Sequence, residues 1–392
     1  MAYLAERRVP AVGVNGGFWS GRRVFITGHT GFMGGWLSLS LARLGAEVHG
    51  YALTAPTNPS FFETTSLETD IASTVADVRD FERLATVLRA ARPEIVLHLA
   101  AQPLVRRAFA NPVETYGTNV MGTVNLLEAL RHTEGVRAAV IVTTDKVYEN
   151  REWAWGYRES DALGGREPYG NSKACAEFAV SAFCRSYFSD GGGSDRRGKP
   201  GIATVRAGNI IGGGDWGEDR LVPDAMGAFA NGETLKIRNP GAVRPWQHVL
   251  DPLRGFLNLA ERLWDDPAGW TGAWNFGPDE EDARTVACIA DKMTALWGNG
   301  ARWQPVEGEG PYEARLLTLS SVKAHAELGW RPTWNLHQAI ARTVAWYRAF
   351  HGGGNMRDVT LAQIDAFEKD AKSAEKHGKT ATHGARVAKA VA

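Results

Sequence analysis

Cysteine is scarce in this chain of 392 residues, in which Cys175, Cys184 and Cys288 are the complete set. An odd number of widely spaced cysteines fits neither a disulfide framework nor the close ligand spacing of a zinc site. We therefore expect reduced thiols, no bound metal and a cytoplasmic location.

Net charge is also missing, because 44 lysines and arginines balance 44 aspartates and glutamates. Such a chain has no general field to attract nucleic acid or an anionic membrane, so neither is expected as a partner. No segment reaches the roughly 20 apolar residues of a membrane span. The first twenty residues lack the apolar centre of a signal peptide.

The first regular pattern is an apolar strand at 23–27 that runs into a glycine-rich turn and a helical segment at 32–44. Its three glycines permit a tight turn, close approach of the backbone to a pyrophosphate, and packing of the helix on the strand. The helix N-terminus would face the phosphates. We predict a dinucleotide site here, with a plain β–α turn as the alternative. The residues concerned are Gly28, His29, Thr30, Gly31, Phe32, Met33 and Gly34.

The second strand, at 47–53, should reveal which dinucleotide is bound. An acidic residue usually stands about 20 residues after the glycine turn and holds the ribose hydroxyls. Here the strand ends in Ala52, Leu53 and Thr54, with neither an acid nor an arginine. The position leaves NAD and NADP both open.

Strands and helices then alternate along the chain. We predict further strands at 71–75, 95–101, 138–143 and 202–206, and helices at 81–91 and 113–132. This alternation predicts an α/β fold, a Rossmann-type doubly wound parallel sheet with a smaller C-terminal substrate-binding lobe. Ligands bind at the carboxyl ends of such strands. Candidate cofactor residues there are Asp77, Val78, Leu99, Ala100, Ala101 and Thr143.

The same patterns suggest domain boundaries. We predict a flexible extension over 1–20, a nucleotide-binding domain over 21–205 with returning segments to about 275, and a substrate lobe mainly over 206–350. Glycine, serine and charge at 189–200 indicate a flexible surface loop. Residues 351–392 form a polar tail, which we expect to be either helical or disordered.

The most informative stretch is the helical segment that begins near Pro168. Tyr169 and Lys173 are four residues apart and share one face of it. A neighbouring cation favours the phenolate, so Tyr169 could accept a proton from a sugar hydroxyl near neutral pH. Removal of that proton accompanies removal of a hydride, which predicts a nicotinamide cofactor. Asn119, in the preceding helix, either orders this pair or is an ordinary polar helix residue.

Together these stretches resemble the extended short-chain dehydrogenase/reductase family, and within it the nucleotide-sugar 4,6-dehydratases. The resemblance spans about residues 22–350 and rests on Tyr169 with Lys173 and on 27–34, 55–60, 100–106, 145–146, 155–159, 213–216 and 244–248. It implies a lyase in which bound NAD takes hydride from C4 of a glucosyl unit and returns it to C6 after water is lost. CDP-glucose or a related nucleotide-hexose would be the substrate, and a homodimer or homotetramer the assembly. The product would feed deoxysugars of surface polysaccharides such as O-antigen.

The resemblance also implies roles for individual residues. Thr144 would bind the 4-hydroxyl and help to pass its proton to Tyr169. Asp145, protonated in a desolvated site, would give its proton to the departing hydroxyl. Lys146 stands where related dTDP-glucose dehydratases have a glutamate, and would be either the C5 base or a residue that orients Asp145. Expected substrate-binding residues are Gln102, Arg106, Asn209, Trp216, Arg220, Arg244 and Glu313.

Several alternatives stay open at this point. Arg244 could form a fork for diphosphate oxygens, or arginines of this kind could pair with surface carboxylates. Met33 stands where relatives usually carry lysine, and 310–314 replaces a more histidine-rich stretch. A 4-epimerase or 4-reductase of the same fold is the nearest rival function, although an epimerase has no use for the pair at 145–146. A non-catalytic dinucleotide sensor is the remote one.

Overall fold

The structure is a computed structural model that describes residues 14–188, 199–306 and 313–390, with side chains up to residue 376. Its strands are β1 (Arg23–Thr27), β2 (Glu47–Ala52), β3 (Ala72–Val75), β4 (Ile95–His98), β5 (Ala138–Val142), β6 (Gly201–Ala207), β7 (Ile210–Ile211), β8 (Thr234–Ile237), β9 (Val243–Pro245), β10 (Gln247–His248), β11 (Gly272–Phe276), β12 (Ala283–Thr285) and β13 (Arg302–Pro305).

The α-helices of the described residues are α1 (Gly16–Trp19), α2 (Phe32–Arg43), α3 (Phe61–Thr64), α4 (Phe81–Ala91), α5 (Val105–Ala110), α6 (Pro112–Tyr116), α7 (Gly122–Arg131), α8 (Pro168–Phe183), α9 (Leu221–Ala230), α10 (Leu250–Asp265), α11 (Pro267–Trp270), α12 (Val286–Trp297), α13 (Leu336–His351) and α14 (Met356–Ala390). The predicted helix at 113–132 is α6 and α7 joined by a π-helical turn at 117–121.

Seven parallel strands form the central sheet in the order β11-β6-β5-β4-β1-β2-β3. Strands β1 to β6 lie in the order 3-2-1-4-5-6, which is that of a doubly wound sheet. The predicted fold class is therefore confirmed. Winding reverses between β1 and β4, and ligands of such sheets bind in the crevice at the carboxyl ends of the strands there. In this register Thr27, the last residue of β1, lies beside Tyr51 of β2 and His98 of β4.

Both faces of the sheet are covered. β4 is buried along its whole length, as a strand inside a parallel sheet requires. On one face α4, α7 and α8 contribute Leu84, Leu127 and Val180 to an apolar cluster. On the other face α2 and α10 join the core that continues into the C-terminal lobe. This packing holds the carboxyl ends of the central strands at one edge.

Three small two-stranded sheets, β10-β7, β12-β9 and β13-β8, lie outside the central sheet. They are built from residues of the predicted substrate lobe, while β11 returns to pair with β6 in the main sheet. The chain therefore crosses between the two regions more than once after residue 207.

The N-terminal prediction was wrong for residues 14–20, whereas residues 1–13 lie outside the described part of the chain. Trp19 in α1 is fully buried, and its indole Nε1 donates to Glu261 Oε1 at 2.7 Å. The backbone N of Asn15 donates to the same oxygen at 3.1 Å. Burial of Trp19 therefore holds in place a segment that was predicted to be flexible.

The C-terminal tail is a helix, one of the two predicted states, over Met356–Ala390, with 391–392 outside the described residues. The first half of this helix also carries an apolar face. Met356, Ile364 and Phe367 are buried at helical spacing and pack into the main core. The predicted surface loop falls mostly on residues 189–198, which are not described. Among the helices described, none has the length and apolarity to cross a bilayer.

Candidate active site

The glycine turn joins β1 to α2, which begins at Phe32 as predicted. Gly28 has a φ of +81°, and a Cβ there would lie 2.7 Å from the backbone N of Ala100. A Cβ on Gly34 would lie 2.0 Å from the carbonyl oxygen of Gly28. Neither site admits a side chain, so these two glycines set the turn and the contact of helix with strand.

Gly31 is less crowded than Gly28 and Gly34. The nearest atom to a Cβ placed there is the carbonyl oxygen of Gly28 at 3.5 Å. No side chain caps the first turn of α2, so N–H groups at its N-terminus are left for a ligand. The turn therefore fits a pyrophosphate group.

The side chains of His29 and Thr30 support this turn through hydrogen bonds. His29 Nε2 lies 2.7 Å from Ser73 Oγ, and Thr30 Oγ1 donates to the carbonyl of Leu53 at 3.0 Å. Burial lowers the pKa of His29 to about 4, so its ring is neutral at physiological pH. Phe32 and Met33 are half-buried and pack against the core. All four support the backbone of the predicted cofactor site.

The strand ends next to the turn carry small or engaged side chains. Ala100 and Ala101 are half-buried and leave room at the edge, while Leu99 donates its backbone N–H to Thr27 at 3.0 Å. The Asp77 carboxylate accepts hydrogen bonds from Arg79, which lower its pKa. Val78 is buried against Gly122, and the end of β2 still shows no acid.

Asn119 orders the site. This fully buried residue lies in the π-helical turn, a deviation that often marks functional sites. Its Oδ1 accepts from the backbone N of Gln102 at 2.8 Å, and its Nδ2 donates to Ser172 Oγ at 2.9 Å. Asn119 thus connects the loop after β4 to helix α8, which carries Tyr169 and Lys173.

Tyr169 and Lys173 lie on the buried face of α8. Burial raises the pKa of Tyr169 to about 12, against a hydrogen bond with Thr144 and the positive charge of Arg220. The Lys173 ammonium donates to the carbonyl of Val142 at 3.0 Å, and burial lowers its pKa to about 8. The charge of Arg220 thus opposes the effect of burial on the phenol, while the ammonium of Lys173, the cation expected from the sequence to act on it, bonds a backbone carbonyl.

Asp145 is a buried carboxyl group next to Thr144. It is 2% exposed, and burial raises its pKa against the charges of Lys146 and Arg244. Oδ1 accepts from Thr144 Oγ1 at 3.1 Å, whereas Oδ2 is buried without a hydrogen-bond partner in the described residues. Thr144 therefore touches both the phenol of Tyr169 and the carboxyl group.

Burial raises the pKa of both Asp145 and Glu167, and the positive charge of the nearby Lys146 opposes this rise in each. Glu167 caps α8, with its carboxylate accepting from the backbone N of Tyr169 at 2.7 Å and of Gly170 at 2.8 Å. That glutamate is engaged as a helix cap. The half-buried Lys146 side chain has no hydrogen bond to another described residue.

Of the three arginines predicted to bind the substrate, two pair with carboxylates. Arg106 Nη1 lies 3.3 Å from Asp219 Oδ1, and Arg220 Nη1 lies 2.8 Å from Asp215 Oδ2. Arg244 is 7% exposed and donates from Nη1 to the carbonyl of Val243 at 2.8 Å. Arg220 and Arg244 nevertheless lie close enough to the catalytic groups to alter their pKa values, so they border the site.

The other predicted substrate residues are less exposed to a ligand or lie apart. The side-chain amide of Gln102 forms hydrogen bonds with the backbone of Leu104 and the hydroxyl of Thr115, which hold the loop after β4. Trp216 packs edge-on against aromatic rings of α13. Glu313 is exposed and accepts from Asn239 at 3.0 Å. The half-buried Asn209 accepts from the backbone of Gln247 through its carbonyl.

Comparison with known proteins decides the family. A model of the GDP-mannose 4,6 dehydratase family matches residues 25–193. A CDP-glucose 4,6-dehydratase of Salmonella typhimurium is 51% identical over 351 residues, covering 89% of this chain and 97% of the relative. The chain belongs to the nucleotide-sugar 4,6-dehydratases of the extended short-chain dehydrogenase/reductase family.

Solved structures agree with this dehydratase assignment. A dTDP-glucose 4,6-dehydratase of Streptomyces venezuelae with NAD bound has a TM-score of 0.71 at 25% identity, covering 85% of this chain and 98% of that one. A Thermus thermophilus UDP-glucose 4-epimerase in complex with NAD has the same TM-score and identity, covering 83% and 99%. The fold is therefore shared by dehydratases and epimerases.

Sequence reasoning missed the buried ion pair beneath this dehydratase's site. Glu177, one turn after Lys173, accepts from Arg206 Nε at 2.8 Å and from Thr143 Oγ1 at 2.7 Å. Arg206 Nη1 also donates to the hydroxyl of Tyr148 at 2.8 Å. Thr143, a predicted cofactor residue, thus points into this network. An arginine inside an otherwise apolar strand was the available signal.

We expect Arg206→Met to destabilise the dehydratase by about 3 to 5 kcal/mol, since it leaves the Glu177 carboxylate buried and uncompensated. Urea unfolding followed by tryptophan fluorescence measures this change. Arg158→Met, at an exposed arginine, is the matched control and should change stability by no more than about 0.5 kcal/mol. A loss below about 1 kcal/mol for Arg206→Met would contradict the structural role of the pair.

Proposed function

We propose that the chain is a CDP-glucose 4,6-dehydratase, which converts CDP-D-glucose to CDP-4-keto-6-deoxy-D-glucose and water. One observation carries the proposal: Asp145 is a buried carboxyl group near the hydroxyls of Thr144 and Tyr169, and its Oδ2 has no hydrogen-bond partner among the described residues. A 4-epimerase needs the tyrosine and has no hydroxyl to expel. The 51% identity to a CDP-glucose enzyme supports the choice of nucleotide.

The cofactor that fits is NAD. The open side of the turn at Gly31 and the uncapped start of α2 suit its pyrophosphate, and the small Ala100 and Ala101 leave space at the neighbouring strand end. When bound, NAD supplies the acceptor and donor of the hydride, and the positive charge of its oxidised ring favours the Tyr169 phenolate.

Tyr169 accepts the proton of the sugar 4-hydroxyl, with Thr144 holding both hydroxyls in line. Arg220, whose charge lowers the pKa of the phenol, makes this transfer easier. Asp145 keeps its proton because it is buried, and its Oδ2 gives that proton to the 6-hydroxyl, which leaves as water. The buried carboxyl thus supplies the acid that converts an oxidation into an elimination.

Lys146 is the proposed C5 base. The 4-ketone makes the C5 hydrogen acidic, and a lysine next to Asp145 in sequence reaches the same part of the sugar. Glu167, the nearest glutamate in that charge cluster, has both carboxylate oxygens bound to backbone N–H groups. The ammonium of Lys146 returns the proton to C5 at the end of the reaction.

We expect Lys146→Met to slow exchange of the C5 hydrogen with deuterated water by about 10²-fold or more, because no other base replaces it. Mass spectrometry of substrate and product measures the exchange. Lys146→Arg keeps the positive charge and serves as the control for a purely electrostatic role. Unchanged exchange in Lys146→Met would return this lysine to the role of orienting Asp145.

The function itself is tested by incubating the purified protein with CDP-, dTDP-, UDP- and GDP-hexoses without added cofactor. We expect mass spectrometry to show loss of one water from CDP-glucose. Loss of water from another nucleotide sugar alone would keep the reaction and overturn the CDP assignment. Isomerisation at constant mass would identify an epimerase instead.

We also propose a homodimer or homotetramer in the cytoplasm. Exposed apolar side chains on neighbouring helices α5, α6 and α8 support self-association, among them Phe109, Val113 and Phe178. Light scattering after size-exclusion chromatography measures the subunit number, and a monomer at micromolar concentration would contradict the assembly.

A further inference from the structure

A buried histidine stands at the end of β4, between the glycine turn and the helices that carry the site. His98 is 1% exposed, and its Nδ1 lies 2.7 Å from Thr27 Oγ1 at the end of β1. Its Nε2 lies 3.2 Å from Thr123 Oγ1 in α7. A valine or leucine would suit this otherwise apolar strand, so the polar ring calls for an explanation.

The hydrogen bonds fix the proton on the ring. Thr123 Oγ1 uses its one hydrogen to donate to the carbonyl of Asn119 at 2.7 Å, so it must accept from His98 Nε2. Nδ1 of the neutral ring then accepts from the hydroxyl of Thr27, whose oxygen accepts from the backbone N of Ala100 at 3.2 Å. Burial lowers the pKa of His98 to about 3, in agreement with a neutral ring.

The chain of hydrogen bonds continues to the catalytic helix. Asn119 Nδ2 donates to Ser172 Oγ at 2.9 Å, and Ser172 Oγ donates to the carbonyl of Tyr169 at 2.7 Å. Every side chain along this path, from Thr27 to Ser172, is buried. The hydroxyls and the ring therefore each accept a hydrogen bond from one neighbour and donate to the next. Donation runs in one direction, from Thr27 towards Ser172.

We propose that His98 is a positioning residue that holds the cofactor turn and the Tyr169 helix at the distance the reaction requires. Thr27 immediately precedes Gly28 of the turn, while Asn119 and Ser172 hold the first turn of α8. The ring bonds a side chain from each group, Thr27 on one side and Thr123 on the other. The inference rests on the proposed function, since it concerns the spacing of two partners in that reaction.

We expect His98→Phe, which keeps a flat ring and removes both hydrogen bonds, to lower kcat by about tenfold or more through misplacement of the reacting groups. KM for the nucleotide sugar should change little, because the arginines that border the site lie outside this chain of bonds. The rise in melting temperature on adding NAD should remain, since the turn itself is unchanged.

The control is His49→Phe. His49 lies on β2 and also bonds a threonine of the neighbouring strand, with Nε2 3.1 Å from Thr74 Oγ1, but it is not part of the path to Tyr169. A kcat loss in His98→Phe no larger than in His49→Phe would overturn the proposal. Wild-type protein that dehydrates no nucleotide-hexose would instead refute the proposed function.

A second pair of variants decides the matter if His98→Phe does not fold. Thr123→Val has nearly the shape of threonine and removes the hydroxyl, whereas Thr123→Ser keeps it. We expect Thr123→Val to lower kcat and Thr123→Ser to restore most of it at similar stability. Equal kcat in the two variants would show that the hydroxyl, and with it the link through His98, has no part in positioning.

Discussion

Tyr169→Phe should lower turnover by about 10² to 10⁴-fold, the usual contribution of a positioned general base. The substitution removes only the phenolic oxygen, which bonds Thr144, from a side chain that is 9% exposed. The ring continues to fill its place, so binding of the nucleotide sugar should be nearly intact. Steady-state kinetics and isothermal titration calorimetry measure the two quantities separately.

Tyr116→Phe is the matched control for Tyr169. Its hydroxyl donates to Asn171 Oδ1 at 2.7 Å in the same helix, without contact to the proposed acid or base. Loss of this hydrogen bond should cost stability of about 1 kcal/mol and leave kcat close to that of the wild type. Near-normal turnover in Tyr169→Phe would exclude its role as the base.

Asp145→Asn should lower product formation by about 10²-fold or more, because an amide of the same shape has no proton to give to the departing hydroxyl. Oxidation at C4 does not use this group and should continue. We therefore expect reduced cofactor to build up on the protein after substrate is added. Stopped-flow absorbance of the reduced nicotinamide follows this accumulation.

Asp161→Asn serves as the control, since the half-buried Asp161 carboxylate accepts from the backbone N of Arg158 at 2.8 Å, away from the proposed base. The Asp161→Asn variant should dehydrate the nucleotide sugar at the wild-type rate. If Asp145→Asn shows neither slower product formation nor reduced cofactor, the assignment of Asp145 as the acid is wrong. Accumulation of reduced cofactor without product would show that Asp145 acts after the first hydride transfer.

Much of the fold was predictable because its signals are local. The glycine turn leads from β1 into α2 at Phe32, as predicted, since Gly28 and Gly34 occupy positions that exclude a Cβ. Predictions failed where a few buried side chains outweigh a polar or glycine-rich composition. Trp19 fastens the N-terminal segment, and the stripe that includes Phe367 docks the C-terminal helix.

The site divides in the same way. Thr144, Asp145 and Lys146 are consecutive after a buried strand, and Tyr169 and Lys173 are one helical turn apart, so sequence spacing could bring each set together. The partners that tune them are distant in the chain. Arg220 influences the phenol from 51 residues away, and the His98 ring joins two elements that sequence spacing does not relate.

The order of residues along the chain determined the parallel sheet, the glycine turn and the candidates for the acid and the base, since these depend on local periodicity and on residue type. Only the packed structure decided which charges surround them. Desolvation and Coulomb interactions depend on distance and burial in three dimensions. That is why burial raises the pKa of Tyr169 while the Lys173 ammonium turns to the carbonyl of Val142.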